Sequence, residues 1–161
     1  MTQKTMLRLY TPADHDWLVT LHRSHYAAAE GFDDSFGDLV DDILSQFERQ
    51  HNPDCERGWV AERDGVPLGS VFCVRLDNRT AKLRLFLLAP EARGLGLGKR
   101  LLETCMNFAR QSGFKQMRLW THESHEAACA LYQKYGWTCT SSEPVHSFGV
   151  DLVEQAWEVT L

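Results

Sequence analysis

The stretch that decides how this chain is interpreted is Arg93-Gly94-Leu95-Gly96-Leu97-Gly98-Lys99-Arg100. Glycines alternate through it, basic residues flank them, and an apolar helical pattern follows immediately. The start of a helix carries unpaired backbone N–H groups and partial positive charge, and glycines let a phosphate approach the backbone closely. The segment is therefore predicted to bind a phosphate or pyrophosphate group.

Two familiar nucleotide-binding patterns fit this loop poorly. The Walker pattern needs a Gly-Lys-Ser/Thr sequence after the loop, and the chain has none there. The dinucleotide pattern G-x-G-x-x-G, started at Gly96, has Leu101 where the third glycine belongs. Binding of NAD or ATP through the loop is therefore kept only as a rival hypothesis.

The residues before the loop predict two helices and an antiparallel meander. A strand over residues 6–10 leads into a helix that starts at the capping signal Thr11-Pro12-Ala13-Asp14 and ends near Gly31. A second helix ends at Asn52-Pro53. Its apolar face, at helical spacing, consists of Phe36, Leu39, Val40, Ile43, Leu44 and Phe47. The strands of the meander are predicted at Gly58–Arg63, Val66–Leu76 and Thr80–Leu88.

The residues after the loop predict a helix, a strand, a helix and two closing strands. The loop helix ends at Ser112-Gly113, a strand covers Gln116–His122, and Ser124 caps a last helix that stops at Gly136. Closing strands are predicted at Trp137–Ser141 and Gln155–Leu161. The expected fold class is α+β, arranged as three layers (α/β/α) in a single domain over residues 1–161.

Composition excludes several classes of function. Hydrophobic residues make up 43% of the 161 residues, and the net charge of −5 shows no basic excess of the kind that binds nucleic acid. No apolar run approaches the ~20 residues that span a bilayer, and Met1–Thr5 shows no signal-peptide pattern. We therefore expect a cytoplasmic protein with no membrane or nucleic-acid partner. The five cysteines have no CxxC spacing, so free thiols and no metal site are expected.

A second motif follows the loop after one helix and one strand. It reads Ala128-Cys129-Ala130-Leu131-Tyr132-Gln133-Lys134-Tyr135-Gly136-Trp137. The pair Arg93-x-x-Gly96-x-Gly98 and Ala128-x-x-Leu131-Tyr132-x-Lys134-x-Gly136-Trp137 resembles motifs A and B of the GNAT superfamily of N-acetyltransferases. The stretches Thr121–His125 and His146–Gly149 also resemble acetyltransferase domains that are fused to MarR-type regulators.

The resemblance implies a mostly antiparallel mixed sheet with a splayed central strand pair, and acetyl-CoA as the donor. The backbone of the strand before the loop would pair with the pantetheine arm, and the loop would hold the pyrophosphate. Tyr132 would act as general acid toward the thiolate, and His125 stands where an asparagine commonly contacts pantetheine. The residues implied in cofactor binding are Phe86, Leu87, Leu88, Arg93, Gly94, Leu95, Gly96, Leu97, Gly98, Lys99, His125 and Tyr132.

The general base is where this chain departs from the family. Lys82 and Trp120 occupy the positions at which the family places a glutamate. His122 shares a strand face with Trp120, and its reference pKa of ~6.5 suits a base, so it is the predicted catalytic partner of Tyr132. The other candidates are Glu123, Glu30, His25, His146 and a chain of water molecules. A nucleophilic Cys129 is a further alternative.

The acceptor is predicted to be a small-molecule or peptide amine. By resemblance, Tyr26–Phe36 and Glu143–Asp151 border its site, and the chain is compatible with a homodimer. Asp33 and Asp34 either attract a cationic amine or favour the start of the second helix. Because the usual carboxylates are missing, a non-catalytic acyl-CoA-binding sensor is the alternative function.

Overall fold

The fold is built on one seven-stranded sheet, in the order β1-β2-β3-β4-β5-β7-β6. A computed structural model describes residues 5–161; residues 1–4, on which part of the localisation argument rests, lie outside it. The strands are β1 Thr5–Leu9, β2 Arg57–Arg63, β3 Val66–Arg75, β4 Thr80–Leu88, β5 Gln116–His122, β6 Thr138–Ser147 and β7 Val150–Thr160. The helices are α1 His15–Glu30, α2 Asp34–Gln50, α3 Leu97–Gln111 and α4 Glu126–Lys134.

Helices cover both faces of the sheet, which confirms the predicted three-layer α+β architecture. Apolar side chains of α3 and α4, among them Leu101, Cys105 and Tyr132, form one core with the sheet. Leu18 of α1 and Val40 and Leu44 of α2 form a second core on the opposite face. The sheet therefore separates the two cores, and each side chain of the candidate site lies on one face of the sheet or the other.

A bulge in β4 lies at the centre of the sheet, where β4 and β5 diverge. Leu85 adopts a φ of +51°, and the register between β3 and β4 shifts between Ser70 and Phe72. Strands β4 and β5 run parallel and pair only over Thr80–Lys82 and Gln116–Arg118. Beyond that point the two strands have no common hydrogen-bond ladder, so a gap opens between them. The predicted splayed strand pair is therefore β4 and β5.

The bulge also changes which face each β4 side chain occupies. Before it, Ala81 and Leu83 pack in the α3–α4 core, and after it Phe86 and Leu88 do so. A regular strand would keep alternate residues on one face, so an extra residue at Leu85 is what turns Phe86 and Leu88 toward the same side. The gap is thereby lined by aromatic and aliphatic side chains on the α3–α4 side.

Two predicted boundaries were wrong. The closing strands form a long hairpin turned at Phe148 and Gly149, so Glu143–Asp151 is mostly strand rather than a loop. Strand β6 is the sheet edge, and most of its side chains are exposed and polar, so no hydrophobic alternation marked it. Ser124 does not cap α4. His125 occupies the N-cap position, because the Ser124 hydroxyl donates to Glu30 instead.

Smaller differences follow from packing. Leu39, predicted on the buried face of α2, is 44% exposed, and α1 starts after a 3₁₀ turn over Pro12–Asp14. Cys55, Cys73, Cys105, Cys129 and Cys139 are all free thiols. None of the helices within residues 5–161 combines the length and apolarity required to cross a membrane.

Candidate functional site

The glycine loop presents a set of unpaired backbone amides at the start of α3. Gly94 and Gly96 have φ angles of +81° and +72°, values that glycine adopts without strain. This path leaves several N–H groups that donate to no acceptor within residues 5–161. They are those of Gly94, Gly96, Leu97, Gly98 and Lys99. Such amides at a helix N-terminus are suited to an anion, and the anion site over residues 93–99 stays a prediction.

The loop lies against the end of β4. A Cβ on Gly98 would stand 3.0 Å from Cδ1 of Leu88, so a glycine there permits the close contact between helix and strand. Arg93, Gly94, Gly96 and Lys99 are exposed, and nothing among the described residues lies within 4 Å of a Cβ built on Gly94 or Gly96. The anion site is therefore open to solvent on one side and continuous with the gap on the other.

Backbone groups of β4 face the gap. The Ala89 N–H donates to Leu68 O at 2.7 Å, so Ala89 faces β3. Successive residues of a strand point their N–H and C=O groups to opposite sides, which directs those of Leu88 and Phe86 toward β5 and those of Leu87 toward β3. Of the three residues predicted to pair with a pantetheine arm, Phe86 and Leu88 have the required orientation, and Leu87 does not.

Tyr132 of α4 closes the gap on the α3–α4 side. It is 3% exposed, and its ring lies 6.1 Å from Phe86, 5.6 Å from Trp137 and 6.0 Å from Trp157 between centroids. Burial raises the pKa of its phenol well above the usual value. No described residue exchanges a hydrogen bond with the hydroxyl. Tyr132 therefore carries its proton at neutral pH and has it free to donate.

His122 lies on the opposite face of the sheet, at the end of β5. Its ring packs 5.8 Å from Phe32 and 5.3 Å from His125, between centroids. Burial lowers the pKa of His122, and the carboxylates of Glu154 and Glu30 act in the opposite sense. Its Nδ1 atom is buried. The imidazole is thus neutral at pH 7, and its Nδ1 is left without a hydrogen bond to any described residue.

Glu30, at the end of α1, joins the histidines of this face. Its carboxylate accepts a hydrogen bond of 2.9 Å from the Ser124 hydroxyl, and it lies 3.4 Å from Nε2 of His125 without hydrogen-bond geometry. The other ring nitrogen of His125 is 3.0 Å from Oγ1 of Thr121. Burial lowers the pKa of His125 to about 4, and the imidazoles of His122 and His25 add to the effect. His125 therefore contacts the α1 side of the site.

The structure sorts the remaining base candidates. His25 belongs to the same group. Burial and the charge of Arg93 lower its pKa, and the carboxylate of Glu30 opposes this shift. His146 is exposed and lies 2.9 Å from Asp151 on the β6–β7 hairpin, and Glu123 is exposed. Burial raises the pKa of the Cys129 thiol, so Cys129 is protonated at pH 7 and is a poor nucleophile.

Lys82 and Trp120, at the positions of the family's glutamates, contact each other. The Lys82 ammonium lies 4.9 Å from the centroid of the Trp120 ring, an arrangement that stabilises the cation. Burial and the charge of Arg84 lower the pKa of Lys82. This pair supplies no carboxylate, and it lies on the same sheet face as His122.

The predicted acceptor walls meet at the turn of the β6–β7 hairpin. The Asp33 N–H donates to Phe148 O at 2.9 Å, and the Phe148 ring lies 4.9 Å from Phe32 and 5.0 Å from Phe36, between centroids. The Asp33 carboxylate accepts from Ser35 N at 3.0 Å and caps α2. Of the two roles considered for Asp33, helix capping is the one that its hydrogen bond shows.

Comparison of the fold and the sequence with known proteins gives the family. The sequence profile of the Acetyltransferase (GNAT) family matches residues 16–137. The chain belongs to the GNAT family. No three His, Cys, Asp or Glu side chains within residues 5–161 group in a way that could hold a metal ion.

The chain is similar to named acetyltransferases in sequence and in structure. It is 34% identical over 93 residues to human N-acetyltransferase 8B, covering 55% of this chain but only 41% of that protein. It is 32% identical over 105 residues to the 5-NmdU N-acetyltransferase of Pseudomonas phage PaMx11, covering 63% of this chain and 69% of that protein.

Among solved structures, two neighbours illustrate the shared fold. An acetyltransferase of the GNAT family from Staphylococcus aureus superposes with a TM-score of 0.82 at 18% identity, covering 98% of this chain and 99% of the other. A phosphinothricin acetyltransferase from Sinorhizobium meliloti, solved in complex with acetyl-CoA, superposes with a TM-score of 0.78 at 22% identity. That superposition covers 100% of this chain and 89% of the neighbour.

Proposed function

We propose that this chain transfers an acetyl group from acetyl-CoA to a primary amine, by direct attack of the amine within a ternary complex. The observation that carries the proposal is the set of unpaired amides over residues 94–99, which adjoins a gap faced by the backbone of Phe86 and Leu88. The first element suits a pyrophosphate and the second suits an extended amide-bearing arm. The names of the relatives support the reaction class.

Donor and acceptor reach the gap from opposite faces of the sheet. The loop and Tyr132 lie on the α3–α4 side, whereas His122 and Glu30 lie on the α1–α2 side. A thioester in the gap would have Tyr132 on one side and the amine on the other. The Leu88 N–H, which faces the gap, would donate to the oxyanion of the tetrahedral intermediate.

His122 is the proposed base. An amine arrives protonated at pH 7 and must lose a proton before it attacks. The unpartnered Nδ1 of His122 can accept that proton, and Glu30 would favour the resulting imidazolium because its carboxylate raises the pKa of His122. As the tetrahedral intermediate collapses, the C–S bond breaks and Tyr132 gives its proton to the thiolate.

The alternative function is a non-catalytic acyl-CoA sensor, which the Lys82–Trp120 pair favours because neither residue can act as the family's carboxylate. Two measurements separate the functions. Acetyl-CoA raises the melting temperature under both, but only an enzyme releases free CoA thiol when amines are added. Amine-dependent thiol release is the expected result. Stabilisation by acetyl-CoA without release for any amine would support the sensor, and stabilisation by NAD or ATP but not acetyl-CoA would contradict both.

A further inference from the structure

A pair of basic side chains at the edge of the gap has no counter-ion among the described residues. Lys82 and Arg84 lie on the α1–α2 face of β4, since their register partners Val74 and Phe72 belong to β3 and Phe72 packs in the α1–α2 core. Arg84 makes no ion pair within residues 5–161, and its Nε atom is buried without a hydrogen-bond partner. The Lys82 ammonium lies over the Trp120 ring and forms no ion pair within residues 5–161.

Burying an unpaired cation costs free energy, and both side chains show that cost. Burial lowers the pKa of Arg84, and burial together with Arg84 lowers that of Lys82. Glu56 is the carboxylate whose charge acts on Arg84. Its oxygens already accept hydrogen bonds of 2.8 Å and 2.9 Å from the backbone N–H groups of Asn52 and Arg75. Glu56, the carboxylate whose charge acts on Arg84, is therefore already hydrogen-bonded to the backbone.

The position of these cations connects them with the site. Pairing between β4 and β5 ends at Lys82 and Arg118, so Arg84 and Trp120 are the first residues beyond the pairing on this face. Trp120 precedes His122 by two residues on the same side of β5. Arg118 differs from Lys82 and Arg84 because it has a carboxylate partner, Glu158, at 3.9 Å.

Arg84 also opens into a groove. The groove has a volume of about 230 Å³ and runs between α2 and the sheet, where Phe47 and Phe72 line it together with the charged residues Glu56, Arg75 and Arg84. Arg84 thus faces space that a ligand can enter. Arg84 lies four positions before Leu88 in β4, which corresponds to about 13 Å along the strand. The length of the Arg84 side chain shortens the distance that a ligand must bridge.

We propose that the acceptor amine carries an anionic group, a carboxylate or a phosphate, which Arg84 and Lys82 bind at the mouth of the groove while the amine reaches His122 and the gap. The inference rests on the proposed acetyltransferase function and adds the acceptor class. A guanidinium is suited to two-point binding of either anion. Because the net charge of the chain is −5, an anionic ligand would be attracted by the local charges of Arg84 and Lys82 and not by the electrostatic field of the whole protein.

The test compares amines that differ only in the anion. Thiol release is measured with ε-aminocaproate, with the aminoalkylphosphonate of the same length, and with n-hexylamine. The wild type is expected to prefer an anionic amine in kcat/KM, and the better of the two anions identifies the group. Arg84→Met is expected to lower that preference roughly 10- to 100-fold, the effect of losing a hydrogen bond to a charged group. Arg110→Gln, an exposed change on α3, is the matched control and should leave the preference unchanged.

Each result bears on one of the two proposals. A wild type that acetylates n-hexylamine as well as the anionic amines, or equal losses of preference in Arg84→Met and Arg110→Gln, would overturn the anionic acceptor and leave the acetyltransferase intact. No thiol release with any amine would count against the proposed function itself. Without substrate, Arg84→Met should melt at or above the wild-type temperature. A lower melting temperature would show an internal partner for Arg84 and would also overturn the inference.

Discussion

At the scale of single residues, the candidate catalytic side chains lie on opposite faces of the sheet. Tyr132 is buried with a free hydroxyl among Phe86, Trp137 and Trp157. His122 is half-buried on the other face beside Glu30 and His125. The proposed proton donor and the proposed proton acceptor thus lie on opposite sides of the same gap, where amine attack on a thioester would use them.

Removing the Tyr132 hydroxyl tests the donor. Tyr132→Phe is expected to lower kcat by about 100-fold or more, the usual contribution of a general acid, and to leave the affinity for acetyl-CoA unchanged. Stability should change little, because the hydroxyl has no hydrogen bond to a described residue. Tyr135→Phe, at the C-cap of the same helix, is the control, since the Tyr135 hydroxyl donates to Glu103. If both variants lose activity equally, the effect belongs to helix packing and the role of Tyr132 is wrong.

The pH profile tests the acceptor of the proton. Because burial lowers the pKa of His122 below 6.5, the neutral, proton-accepting form predominates at pH 6.5 and above. The value of kcat/KM should therefore decline toward acid pH with a midpoint below pH 6.5. Glu30→Gln should move that decline to lower pH, since the carboxylate raises the pKa of His122. An unchanged profile in both Glu30→Gln and His122→Asn would assign the base to another group.

The sequence predicted His122 as the base, but it could not predict the surroundings of that histidine. Glu30, His122 and His125 come from three separate elements, and only the fold brings them together. The pattern did predict that His122 shares a face with Trp120, because strand alternation is local. It could not show that Lys82 contacts Trp120 or that Arg84 lacks an internal partner, because those facts depend on packing between strands and against α2.

At the scale of elements, the glycine loop and the bulge of β4 build the proposed donor site. The loop was readable in advance because glycine spacing and the helix that follows are adjacent in sequence. The bulge at Leu85 was not, since an aliphatic run gives no sign of a φ of +51°. The same limit applies to β6, whose exposed polar residues carry no alternation to read.

A substitution in the loop tests the element as an anion site. Gly96→Ala forces a left-handed φ on alanine, which costs about 1 kcal/mol, and is expected to weaken acetyl-CoA binding at least about tenfold, or 1.4 kcal/mol. Gly113→Ala is the matched control. Gly113 lies beyond the other end of α3 with a φ of +94°, and nothing lies within 4 Å of a Cβ built there.

Calorimetric titration of acetyl-CoA into both variants measures the difference. Gly113→Ala should lose a similar amount of stability and keep wild-type affinity. Equal affinity in the two variants would show that the amides at the start of α3 do not hold the cofactor.

At the scale of the whole molecule, a histidine outside the proposed chemistry links stability to pH. His22 of α1 is 3% exposed, and one of its ring nitrogens lies 2.9 Å from Leu18 O. Burial lowers its pKa from 6.5 to about 4. The unfolded chain therefore binds this proton more tightly than the folded chain at acid pH.

The free energy of unfolding should hold this contribution in full above pH 6.5 and lose it as the pH falls toward 4, by up to roughly 3 kcal/mol. Urea denaturation at several pH values measures the slope. In His22→Phe the loss over that interval should be smaller, whatever the variant's stability at neutral pH. An identical slope in the two proteins would show that His22 is not held neutral by burial.

The general architecture was predictable because helical periodicity, turn signals and the loop each fix one part of the three-layer arrangement. The proposed acceptor site was not, since its walls meet only where the α1–α2 connection contacts the β6–β7 turn. The central claim for the molecule is direct transfer between two substrates held on opposite faces of one sheet, and kinetics can test it without a structure of the complex.

The most direct measurement varies acetyl-CoA and the identified amine together, with a label on the acetyl group. Direct attack predicts intersecting double-reciprocal plots, label in the amine, and none on the protein. Parallel plots, or label that accumulates on the protein, would contradict the account by showing a covalent intermediate, for which Cys129 on the Tyr132 helix would be the first residue to examine.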